Sequence, residues 1–152
     1  MVLDVLAKRH NASFKLHKSI ALTAECRFVA GGKKIIMVKS TGFMNLSGSP
    51  VQALMKFYSI PIEQVLVVHD ELDIPFGELR HKSSGGHAGH NGLRDIIAKC
   101  SADFHRLRFG IGRPPGSQEV ANFVLQDFSS AERKELPVLL ELAADQVEQK
   151  VA

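Results

Sequence analysis

Apolar positions along this chain change period several times, and each change predicts an element. Val2, Leu3, Val5 and Leu6 recur at helical spacing, and Lys8, Arg9 and His10 suit the end of that helix. Ala21 to Val29 and Lys33 to Lys39 read as strands joined through a Gly31-Gly32 turn, a hairpin. Ser49-Pro50 opens a helix reaching Tyr58, with proline tolerated in the first turn. Val65 to Val68 is a short continuous apolar run, the signature of a strand buried on both faces. Glu78 to Lys82 reads as a strand. Asn91 to Lys99 reads as a helix with Leu93, Ile96 and Ile97 on one face, and Phe104 to Ile111 alternates like a strand. Ser117 to Leu125 predicts a short helix. Ser129-Ser130-Ala131-Glu132 has capping-box spacing and opens a long final helix, which Pro137 is expected to bend.

Alternating strands and helices with one early hairpin predict the α/β class. The expected architecture is a single domain over 1–152, a mixed twisted sheet with helices on both faces. The chain enters on a helix, whereas such folds usually begin on a strand. The expectation is therefore a missing first strand, with unpaired backbone at the middle or edge of the sheet.

Composition narrows the classes. The chain has 152 residues, 45% of them hydrophobic, which excludes wholesale disorder and allows a real core. A net charge of +3 suits a polyanionic partner without demanding one. No apolar run approaches a membrane span, so a soluble cytoplasmic protein is expected. The two cysteines, Cys26 and Cys100, form no CxxC pair. A disulfide framework or zinc cage is disfavoured, and both read as small apolar residues.

Three polar stretches carry the candidate chemistry. They are Phe43-Met44-Asn45-Leu46-Ser47-Gly48, His69-Asp70-Glu71-Leu72-Asp73 and Gly89-His90-Asn91-Gly92. Two follow strand-like runs and the third opens a helix, the positions that border the ligand crevice of an open α/β sheet. Asp70, nearer the strand end, can orient a histidine and stabilise its protonated form, while Asp73 fits a turn-capping role. Asn45 offers a donor and an acceptor on one amide, and Phe43 a stacking face. Asn91 reads either as a ligand group or as the cap of its helix. The glycines from Gly85 to Gly92 allow close backbone approach, but no Gly-Lys-Ser/Thr follows, so this is no Walker loop. His81, His87 and His90 have no ligand-spaced carboxylate or cysteine, so no metal is expected. Gly110-Ile111-Gly112 reads as a turn. Arg80, Lys82, Arg106, Arg108 and Arg113 form a phosphate track if several share a face. No Gly-x-Ser-x-Gly elbow is present.

In order and interval, these stretches and Arg106-Leu107-Arg108-Phe109-Gly110-Ile111-Gly112 resemble bacterial peptidyl-tRNA hydrolases over essentially the whole chain. The resemblance implies hydrolysis of the ester joining a peptide to the 3′ ribose of tRNA, by a cytoplasmic monomer without a cofactor. It implies that Asp70 supports the general-base histidine. Phe43, Met44, Asn45 and Asn91 would bind the peptide–tRNA junction, and Arg80, Lys82 and Arg108 would meet tRNA phosphates. One departure matters. The family's Gly-Asn-Pro-Gly loop and the Thr-Arg-His-Asn tetrad carrying the base have no match here. Arg9-His10-Asn11 lies too close to Met44 and at a helix end. His90 is the candidate substitute base. The expectation is a retained tRNA-binding surface with weak or absent hydrolysis; the alternative is a non-catalytic RNA-binding module on the same scaffold.

Overall fold

A computed structural model describes residues 2–17, 21–40, 48–86, 90–112 and 130–151; among these, the side chains of Ser40, Asn91 and 130–133 are not described. The elements are α1 (Val2–Arg9), β1 (Lys15–His17), β2 (Ala21–Cys26), β3 (Ile35–Ser40), α2 (Gly48–Tyr58), β4 (Leu66–Glu71), β5 (Leu79–Ser83), α3 (Asn91–Lys99), β6 (His105–Gly110) and α4 (Ser130–Val151). The segment predicted as a helix from Ser117 to Leu125 lies outside the described residues. Pro137 stands inside α4 without ending it.

Among the described residues the strands form two three-stranded sheets, β1-β2-β3 and β4-β6-β5, where the sequence predicted one. The first is antiparallel throughout, with β2 and β3 paired from Ala21↔Ser40 to Cys26↔Ile35. In the second, β4 runs parallel to β6 from Leu66↔His105 to Glu71↔Gly110, and β5 runs antiparallel to β6. β1 was not anticipated, because Lys-Leu-His carries too few apolar positions to register as a strand. The apolar strands β3 and β4 each pair on one edge only among the described residues. Val67 and Val68, in a run patterned like a central strand, are consequently only half-buried.

One core serves both sheets. Leu6 and Ala7 of α1 pack with Ala143, Ala144 and Val147 of α4, and this helix pair covers Ala24, Met37, Leu107 and Phe109. The opposite face of β4 packs against α3 and α2 through Leu93, Ile96, Phe104, Val65, Val67 and Val51. Alternation along β4 thus buries Leu66 and Val68 one way and Val65 and Val67 the other. Helices flank β4 on both sides, as expected.

The α1–α4 contact is also ionic. Arg9 meets Glu141, Asp145 and Glu148, and His10 Nε2 lies 2.6 Å from Glu148 Oε1 with its ring 4.8 Å from Phe28. His10 is a clasp between the first and last helices.

Candidate active site

β4 runs further than the apolar pattern suggests and carries His69 and Asp70 as the two residues before its last, not beyond its end. The reason is the parallel pairing, which continues to Glu71↔Gly110 regardless of polarity. The turn that follows is tied to the end of β6: Gly77 N donates to Gly110 O, Gly112 N to Ile74 O and Ile111 N to Glu71 O. A Cβ on Gly110 would run into the Pro75 carbonyl oxygen. That close approach, rather than a turn, is why glycine stands there. Asp73 sits exposed in the turn.

α3 starts at Asn91, but its N-cap is His90, not Asn91. The Leu93 amide donates to His90 Nδ1 at 3.1 Å. An imidazole nitrogen that accepts has no proton, so Nε2 carries it and donates to Asp70 Oδ1 at 2.9 Å. Both ring nitrogens are therefore engaged, one on the helix start and one on the strand. The His90 hydrogen bond holds the Asp70 carboxyl below its ordinary pKa, against an opposing effect of burial.

His69 lies beside this pair, its ring centroid 5.1 Å from that of His90. Its Nδ1 donates to the Asp70 backbone oxygen at 2.7 Å, leaving a lone pair on Nε2. Burial lowers the His69 pKa, so the ring is neutral near pH 7. Sequence reasoning singled out neither this histidine nor its tautomer; its position one residue before Asp70 was the available signal.

By register, Arg80, Lys82, Arg106 and Arg108 share one face of the second sheet with His69. They differ in use. Arg106 is 2% exposed and spends its guanidinium on the Gly85, Gly86 and Ala102 carbonyls while lying over the Phe104 ring at 4.3 Å. It fastens the Gly85-Gly86 backbone to Ala102, so the phosphate-track expectation does not describe it. Arg80 is exposed and paired with Glu78 at 2.6 Å. Arg108 and Lys82 line a small cavity with His69, Glu71, Gly86, Leu93 and Arg106.

His81 projects from the opposite face and stacks on His105 at 5.4 Å, so it does not join His90. Among the described residues no group of three His, Cys, Asp or Glu side chains is placed to hold a metal. Burial raises the pKa of both cysteines, and both are free. Phe43, Met44, Asn45, His87 and Arg113 lie outside the described residues, as does the Asn91 side chain. The exit of the 43–47 segment is described: Gly48 N donates to Asp95 Oδ2 at 2.7 Å, and a Cβ there would collide with the Asp95 backbone. Gly48, the first residue of α2, is therefore held against α3, the helix that His90 caps.

The architecture and this strand-end pair define an α/β protein with a carboxylate–imidazole couple beside a cationic sheet face. The family model described as peptidyl-tRNA hydrolase matches residues 1–152. The peptidyl-tRNA hydrolase of Leifsonia xyli subsp. xyli is 54% identical over 153 residues, covering 100% of this chain and 79% of that protein. That of Streptomyces coelicolor is 53% identical over 152 residues, covering 97% and 76%. A crystal structure of peptidyl-tRNA hydrolase from Acinetobacter baumannii superposes with a TM-score of 0.84 at 35% identity, covering 99% of this chain and 74% of that one. The chain belongs to the peptidyl-tRNA hydrolase family.

Proposed function

We propose that this chain hydrolyses the ester between peptide and tRNA in peptidyl-tRNA, releasing both, as a cytoplasmic monomer without a cofactor. The observation that carries the reading is the Asp70–His90 pair at the end of β4, on a sheet that also presents Lys82 and Arg108. Asp70 supports the charged form of an imidazole beside the attacking water. Asn45 and Asn91 bind the peptide–ribose junction and stabilise the oxyanion, with Phe43 stacking and Met44 walling the pocket. Arg80, Lys82 and Arg108 take backbone phosphates. His90, bonded at both ring nitrogens, holds Asp70 and caps α3, and can accept a proton only by releasing the Leu93 amide.

A second reading is a tRNA-binding module without cleavage. It is favoured by that same double engagement: with both ring nitrogens bonded, His90 presents no free lone pair to a water. The test is cleavage of peptidyl-tRNA by the purified chain beside tRNA binding over a salt series. Cleavage with steeply salt-dependent binding supports the hydrolase. Salt-dependent binding without cleavage supports the module. No binding at any salt overturns both.

A further inference from the structure

Three buried nitrogens without a hydrogen-bond partner among the described residues belong to residues lining one cavity. They are His69 Nε2, Arg106 Nε and Arg108 Nε, and the cavity measures about 20 Å³. Burying such groups unpaired is costly, so native folds pair nearly all of them. Their chemistry is complementary. The two arginine nitrogens carry N–H donors. His69 Nδ1 is committed to the Asp70 carbonyl, which can only accept, so Nε2 presents a lone pair.

We propose that this cavity is a binding site for one water molecule, which accepts from Arg106 Nε and Arg108 Nε and donates to His69 Nε2. A single water needs about 10–15 Å³ and two to four polar partners; the cavity offers about 20 Å³ and is lined by the three residues that carry these nitrogens. A small anion matches the guanidinium groups and Lys82 but would face the Nε2 lone pair and the Glu71 carboxylate. The water's second hydrogen has Glu71 in the same lining.

The bridge gives His69 a task. Its ring spans the Asp70 backbone on one side and, through the water, the side chain of Arg108 on the other. His69 is thus a positioning residue: it orients the strand end that bears Asp70 and fixes Arg108 in one direction. This second statement rests on the hydrolase reading; the water site does not.

Two measurements separate them. On the unmodified chain, a high-resolution crystal structure with a bromide soak reads the site directly, and nitrogen-15 spectra read the His69 tautomer. The expected result is one oxygen-sized peak within hydrogen-bond reach of all three nitrogens, with the proton on Nδ1. A bromide signal at that place, an empty cavity, or a proton on Nε2 overturns the proposal whether or not the chain cleaves anything. For the positioning role, His69→Leu is expected to lower kcat about tenfold, the loss of one buried polar contact, and to weaken tRNA binding by a smaller factor through the loosened Arg108. His69→Gln, whose amide oxygen can take the water's proton, is expected to restore most of it. Equal kcat in all three proteins overturns the positioning role. If the leucine variant does not fold, the glutamine variant and the crystal structure still decide the water site.

Discussion

In the β1-β2-β3 sheet every pairing joins neighbours in the chain, whereas β4 and β6 lie parallel and are joined across β5 and α3. The first sheet is satisfied by local hairpins and carries its charges as surface pairs, such as Lys34 with Glu25 at 3.0 Å. The second needs a crossover, and the crossover supplies the chemistry. Parallel neighbours end on the same edge, so His69, Asp70 and the tail of β6 arrive together, and the helix between them begins there with His90. Candidate function collects where the chain has to return to itself over distance.

This contrast can be broken at several points. The largest effect is expected from Asp70→Asn, which should lower kcat for peptidyl-tRNA by about 10²–10⁴ with tRNA affinity nearly unchanged. Glu25→Gln, the acid of the first sheet, should leave cleavage within about twofold. If both variants behave alike in a turnover assay, the second sheet has no privileged role. Next, Phe104→Ala, at a fully buried position under α3, should cost about 3–5 kcal/mol in a denaturation curve, while Leu16→Ala, 59% exposed on β1, should cost less than about 0.5 kcal/mol. Gly110→Ala should cost about 1–3 kcal/mol by forcing Pro75 away from the end of β6.

The smaller effects are electrostatic. Lys82→Ala should reduce the slope of log affinity against log salt by about one, whereas Lys34→Ala should leave the slope unchanged. The pH response has a definite sign. His69 is held below its ordinary pKa by burial, so the unfolded chain binds the extra proton first. Stability is intact above the ordinary imidazole range and falls as pH drops below about 6.5. His69→Gln should flatten that part of a Tm-against-pH curve. Asp70 acts lower: its folded pKa is depressed, so its contribution is present above the ordinary carboxylate range and is lost as pH falls through the folded value.

Much of this molecule follows from periodicity. The spans of α1, α2 and α3 and the centres of β2 to β6 are readable from local spacing, because a buried stripe or face must repeat at 3.6 or 2. Asp70 stood out because it lies nearest the end of an apolar strand, the edge that borders the ligand crevice of an open α/β sheet. The misses share a cause. β1 is stabilised by pairing with β2, not by its own pattern. The division into two sheets depends on which edges find partners, a property of no single segment. Arg106 looked like one more surface cation, yet its neighbours in space are three carbonyls and a ring.

The amino-acid order by itself determined the element types, the α/β class and the short polar motifs, since each depends on residues within a few positions of one another. Only the tertiary structure decided the hydrogen-bond roles of the His69 and His90 ring nitrogens, the cap on α3 and the shared face of Lys82 and Arg108. Those depend on which lone pairs and N–H groups meet across the parallel crossover, and hydrogen bonds between distant segments leave no periodic trace along the chain.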